Sequence, residues 1–301
     1  MLEETTALGG YGHTPGSGTW VHILDAEVIT PRIVKERVTR RGLGAQLPSS
    51  FTQTKQYGTI ALEHTLIARY TTPTTFIWSD FWTYVLGDSL ARADEIDAFS
   101  LGIRLNETTD LFYRFQGCKI NSYEISMNFT ENAEVKGKAD IWAQKGNFST
   151  SDYATGTSAH AAAKGTLTPI MSTDCDVTYA ATGETGTSIR NKISELTFRI
   201  NRELRRLGSD PEDVSMYREL GEGDMSLEVD MTIDFTTTDE YDDFTANTSF
   251  TLEMDIPSGT NGKRIELTGG KWFTAEPNLR LTEPVTVPLH GEFTGITVTT
   301  L

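Results

Sequence analysis

The sequence predicts a mainly β protein, a β-sandwich or partly closed barrel of antiparallel strands with one or two short flanking helices. Three observations predict it. Apolar and polar residues alternate with period two in several separate runs, as a half-buried strand requires. The runs are rich in Thr, Val, Ile, Phe and Tyr, which fit a pleated surface better than a helix. Clusters of Gly, Pro, Asn and Ser, such as residues 257–263 (PSGTNGK), separate them as turns.

In chain order, the first twenty residues include GGYGHTPGSG and read as a flexible arm. Residues 28–69 read as a long hairpin in which Ile60, Leu62 and Leu66 share an apolar face. His64 lies on that face, where a satisfied core or interface histidine is expected ahead of a catalytic one. Phe76, Trp78, Phe81 and Trp82 form an aromatic cluster, read either as core or subunit contact or as a platform for sugars. Residues 88–99 (DSLARADEIDAF) are a candidate helix. Tyr123, Ile125, Met127 and Phe129 then alternate with polar residues.

Residues 146–190 are rich in Ser, Thr, Ala and Gly and read as a linker or extended surface loop. Beyond it, Leu196, Phe198 and Ile200 alternate with Thr197, Arg199 and Asn201. Ser209, Asp210, Pro211 and Glu212 look like the cap and first turn of a second helix. Leu227, Val229, Met231, Ile233 and Phe235 share one strand face. Glu228, Asp230, Thr232 and Asp234 share the other. Phe250, Leu252, Met254 and Ile256 repeat the pattern with Glu253 and Asp255 opposite.

The chain also echoes itself. Arg40 and Arg41 answer Arg205 and Arg206, and the run Gly58 to Glu63 (GTIALE) answers Gly223 to Glu228 (GDMSLE), both 165 residues apart. Phe99, Leu101 and Ile103 answer Phe250, Leu252 and Met254. Gly117 and Lys119 answer Gly269 and Lys271, and Gly137 answers Gly291. The expected organisation is therefore an arm (1–20), a first unit (21–145), a linker (146–190) and a second unit (191–301).

Composition narrows the chemistry. The 301 residues carry 26 Lys+Arg against 42 Asp+Glu, a formal charge of −16. That balance disfavours a protein that grips nucleic-acid phosphates or an anionic membrane, and the longest apolar runs are too short to cross a bilayer. The N-terminus has no basic stretch followed by an apolar one, so no signal peptide is read. The two cysteines, Cys118 and Cys175, read as free thiols. The five histidines form no H-x-x-x-H or H-E-x-x-H pattern. No G-x-S-x-G, P-loop or strand-linked G-x-G-x-x-G occurs. Asp174 with Asp176, and the cluster Asp239, Glu240, Asp242 and Asp243, resemble calcium ligands only loosely, and solvated charge is the simpler reading. No catalytic residue, cofactor or metal is expected. Two other classes stay open: a secreted or surface β-sandwich that binds carbohydrate as an adhesin does, and a β-sandwich hydrolase with paired carboxylates.

The run from Phe115 to Phe129 (FQGCKINSYEISMNF) resembles a strand entry, Gly-Cys-Lys-Val-Asn-Ser, of the major tail tube proteins of tailed phages and archaeal tailed viruses. The run from Ile193 to Leu204 resembles the strand that opens their inner hairpin. Residues 223–235, the acids, Tyr241 and Phe244 after them, then residues 250–256, follow the same order, and 283–301 resembles the closing strands. The resemblance implies a structural virion protein that polymerises as stacked rings into the hollow tail tube through which the genome passes on ejection. It implies self-association, either as a trimeric ring that imitates six-fold symmetry, which the echoing halves favour, or as a hexameric ring. Other tail proteins (tape measure, tail terminator, baseplate or distal tail) are the implied partners, double-stranded DNA a transient passenger, and the virion tail the location, after assembly in the host cytoplasm. On this view Glu63, Glu228, Asp230 and Asp234 face the lumen, where an acidic wall repels DNA phosphates and eases passage.

Overall fold

The computed structural model describes residues 2–3, 22–23, 26–40, 50–69, 75–76, 78–87, 90, 96–106, 111–150, 168–181, 183–210, 214, 216–234, 242, 245–258, 262–275 and 285–301. Among these, period-two sequence becomes strand almost throughout. β1 (Leu2–Glu3), β2 (His22–Ile23), β3 (Ala26–Arg40), β4 (Ser50–Thr65), β5 (Ile67–Arg69) and β6 (Thr75–Phe76) precede the helix α1 (Phe81–Leu86). β7 (Phe99–Asn106), β8 (Leu111–Asn128) and β9 (Lys136–Ser149) follow. Next come β10 (Thr168–Pro169), β11 (Asp176–Ala181) and β12 (Thr187–Ser188). β13 (Ile193–Asn201), β14 (Arg205–Leu207), β15 (Glu219–Gly221) and β16 (Ser226–Asp234) lead to β17 (Phe250–Ile256), β18 (Lys263–Ala275), β19 (Thr286–Glu292) and β20 (Gly295–Thr300).

The main sheet runs β3-β4-β9-β8-β13-β16-β19-β18, with every neighbouring pair antiparallel. Only the end of β18, Lys271–Ala275, belongs to it. The earlier part of β18 pairs with β17 and β20 instead, β17 carries β11, and β11 carries β12. β18 thus passes from one layer to the other. In the first half, β8 pairs similarly with β7, which also holds β1.

One pairing order recurs along the chain: β3-β4-β9-β8-β7, then β13-β16-β19-β18-β17. A local irregularity recurs with it. Phe99 faces Cys118 and Leu101 faces Phe115, so two residues oppose one; Phe250 faces Gly270 and Leu252 faces Leu267 in the same way. Each bulge holds a glycine with positive φ, 57° at Gly117 and 64° at Gly269, a conformation that a Cβ disfavours. Gly137 and Gly291 also match in role. A Cβ on Gly137 would overlap the His64 ring, and one on Gly291 would overlap Trp272.

A single core runs under both halves. Trp78, Phe81 and Trp82 are fully buried, so these three are core and not a sugar platform, and the Phe76 side chain lies outside the described residues. α1 presses these rings onto β8: Phe81 stacks on Tyr123 with centroids 5.8 Å apart, and Trp82 meets Tyr123 edge-on at 5.6 Å. His64 is fully buried among them, stacked on Phe81, with Nε2 3.2 Å from the Tyr123 hydroxyl. It is the core histidine its neighbours imply. Cys118 and Cys175 are buried and unbridged.

One helix expectation fails, and a second falls mostly outside the described residues. The segment after Ser209 is the tip of a hairpin: Arg205–Leu207 pairs with Glu219–Gly221, and no helix forms among the described residues between them. Cross-strand pairing there overrides the local capping signal. Ile96–Ala98, at the end of the expected 88–99 helix, is extended chain entering β7, and most of 88–95 lies outside the described residues. The helix that does form, α1, lies just before it. Within 146–190, β9 continues to Ser149, β10 pairs with β5, β11 pairs with β12 and β17, and 151–167 lies outside the described residues, as do 4–20 of the N-terminal arm. No helix of the described residues is long and apolar enough to cross a membrane.

Candidate functional site

The face of the main sheet turned away from the core is an organised polar surface. On β16 the alternation is complete: Leu227, Val229, Met231 and Ile233 are buried, while Glu228, Asp230, Thr232 and Asp234 are half-exposed between them. Glu63 on β4 is exposed on the same face of the first half. The four acids named above therefore share one continuous surface.

Register assembles that surface into rows. One row crosses all eight strands. Val28 faces Glu63, Glu63 faces Lys138, and Lys138 faces Glu124. Glu124 faces Arg199, Arg199 faces Glu228, Glu228 faces Glu292, and Glu292 faces Lys271. Acid and base nearly alternate, so the belt is net acidic without being a bare wall of carboxylates. Lys138 Nζ lies 3.8 Å from Glu63 Oε1.

Arg199 is the hub of the second half. Its Nε donates to Glu124 Oε2 at 2.7 Å, and its Nη1 donates to Asp230. His290 Nδ1 reaches the other Asp230 oxygen at 2.7 Å. Burial pushes the Asp230 carboxyl up, but the hydrogen bonds from His290 and Arg199 outweigh it and hold the carboxyl below the usual carboxylate range. The Arg199 guanidinium is pushed up, chiefly by its bond to Glu124. At the near end of β9, Lys136 bridges Glu27 at 2.7 Å and Glu134 at 3.0 Å, and its bond to Glu27 holds that carboxyl below its ordinary value.

Chemically the surface is laced with ion pairs. The carboxylates of Glu124 and Asp230 take the Nε and Nη1 donors of Arg199, and Glu228, Asp234 and Glu292 add negative charge around it, so this guanidinium offers little to a phosphate. Sequence reading found the four acids from strand alternation but missed Lys138, Glu124, Arg199 and His290 as their partners. Arg199 already had the right parity in its strand. What was lacking was the register that sets it beside Glu124 and Asp230, which one strand does not contain.

Other acids named from sequence have local roles. Asp174 accepts from the Met171 amide at 3.3 Å, and Asp176 accepts from Ser188 Oγ at 2.6 Å. Asp242 is exposed, and Asp239, Glu240 and Asp243 lie outside the described residues. No group of three His, Cys, Asp or Glu among the described residues is placed to hold a metal.

A buried ionic clamp joins the halves. Glu222, after β15, accepts from Lys119 of β8 at 3.0 Å, from Arg202 at 3.0 Å and from the Ile96 amide at 3.0 Å. Lys119 and Arg202 are almost fully buried. The β14–β15 hairpin also leans on the first half: the Arg206 guanidinium of β14 sits between Tyr57 and Trp142, 3.9 and 4.0 Å from the ring centroids.

No curated protein matches the sequence. Among solved structures, the chain has a partial likeness to one from the anti-feeding prophage baseplate, determined by cryo-electron microscopy and 6-fold symmetrised. The identity is 9%, over 42% of this chain and 91% of that one, with a TM-score of 0.33. Residues 3–295 match the family model of the phage tail tube protein, so the chain belongs to that family and is a structural protein of the virion tail.

Proposed function

We propose that this protein closes head to tail with further copies into a ring, that rings stack into the tail tube, and that the open face of the main sheet lines the lumen. The chain is read as two tube units in tandem, 21–145 and 191–301, so that three chains present six units. The observation that carries this is the four-strand repeat in the main sheet. β3-β4-β9-β8 is followed by β13-β16-β19-β18, and β8 of the first set is hydrogen-bonded to β13 of the second. The joint inside the chain is thus a pattern for a joint between chains. Among the described residues, β3 and Lys271–Ala275 each have one ladder partner in this sheet, which leaves an edge free at either end. Free edges invite pairing, and a head-to-tail contact closes into a ring when its rotation does.

In that ring Glu63, Glu228, Asp230 and Asp234 look into the bore. Their ion-paired surroundings leave no uninterrupted basic track, so duplex DNA passes without being held. Electron microscopy of the purified protein tests the reading. Rings or tubes with a central hole, and a ring mass of three chains, support it; a ring of six chains sinks the trimer, and an assembled tube with these four side chains on its outer wall sinks the lumen assignment.

A further inference from the structure

The geometry points to two chemically different joints in the ring: an ionic one inside each chain and an apolar one between chains, formed by Val28 on β3 of one copy and Phe273 beside Lys271 on β18 of the next. This rests on the ring proposed above and adds its register.

The register follows from the matched ladders, which do not keep the sequence echoes of Arg40 with Arg205 and of Lys119 with Lys271. Val28 faces Glu63 as Arg199 faces Glu228, and Glu63 and Glu228 end the echoed runs GTIALE and GDMSLE. Val28 therefore holds the place of Arg199. On the other side, Glu124 faces Lys138, next to Gly137, as Lys271 faces Glu292, next to Gly291. Lys271 therefore holds the place of Glu124. Inside the chain those two places are filled by the Arg199–Glu124 pair, reinforced by Asp230. Between chains the same places bring Val28 opposite Lys271, with Phe273 two positions along on the same strand. Diagonal neighbours across antiparallel strands remain within reach of an aromatic ring.

Exposure agrees. Val28 is 48% exposed and Phe273 55% exposed, and they are large apolar side chains at two edges of one sheet that are free among the described residues. A single exposed apolar residue needs no partner, but a joint that brings these two edges together lets each side chain cover the other. The occupant committed to is a second copy of this chain, because the covering strand already exists inside the molecule as the β8–β13 joint. Val28 would pack on the Phe273 ring and along the aliphatic stem of Lys271, whose ammonium keeps Glu292 as its neighbour.

A cysteine pair tests it. Cys118 and Cys175 are fully buried and do not compete for oxidant. In Val28→Cys/Lys271→Cys, mild oxidation or a short bifunctional thiol reagent should give covalent dimers and a closed ring band on a denaturing gel. Either single variant should give none of the ring band. In Phe273→Glu the assembled fraction should fall at least tenfold while thermal unfolding of the free chain stays unchanged. Rings that assemble but do not cross-link, or a Phe273→Glu protein that assembles normally, overturn this joint and leave the ring reading standing. A wild-type chain that never assembles overturns both.

Discussion

Glu63 and Glu228 stand in the same row of the main sheet, four strands apart, each at the end of an echoed run of sequence. Four strands is one unit of the repeated pairing order. The spacing therefore ties a sequence echo to a structural one, and it sets one acid of each unit at the same height on the open face.

If that face lines the bore, reversing both charges should make the wall hold DNA. Assembled Glu63→Lys/Glu228→Lys is expected to retain duplex DNA at low salt, with retention lost as salt rises. Each phosphate newly neutralised adds about 0.9 to the slope of log K against log salt. A filter-binding salt series on wild-type and variant tubes measures this, and identical series for the two place these residues off the DNA path.

Glu222 is the acceptor that makes two buried cations tolerable. Glu222→Ala leaves Lys119 and Arg202 without it, and removing one partner of a buried pair costs about 3–5 kcal/mol. Chemical denaturation should show a loss of that size. A loss below about 1 kcal/mol would mean that water replaces the carboxylate.

Asp230 predicts an acid-sensitive contribution. Its folded-state carboxyl is held below the ordinary value of about 3.9, so the contribution is complete above that value and fades as pH falls through the lower folded one. The side chain is 43% exposed, and solvent screening keeps the effect under about 1 kcal/mol. Unfolding curves of wild type and Asp230→Asn should converge below about pH 4; a gap that widens there contradicts the sign.

Gly137 and Gly291 should fail alike. Gly137→Ala drives a methyl into the fully buried His64 ring, and Gly291→Ala into Trp272. Overpacking of this kind costs about 1–3 kcal/mol. Thermal melts of the two variants check it, and a neutral Gly137→Ala would show that His64 can move.

Much of the fold was legible because strand alternation is a local property. The faces of β16 and β17, and the burial of His64 beside Ile60 and Leu62, follow from parity alone. The hairpin tip was misread because Ser209 to Glu212 has the local chemistry of a helix start, whereas Arg205–Leu207 and Glu219–Gly221 pair across the gap. α1 went unread because six residues with only Thr83 and Tyr84 half-exposed are too few to show a helical period.

The sequence by itself determined the strand class, the paired echoes and which side of each strand is wet, since each depends on neighbours within a few positions. Tertiary structure alone decided what Glu63 and Asp230 touch, that β8 hands over to β13, and which edges are left open. Those are matters of register between strands far apart in the chain, and a one-residue slip would turn every side chain to the other face.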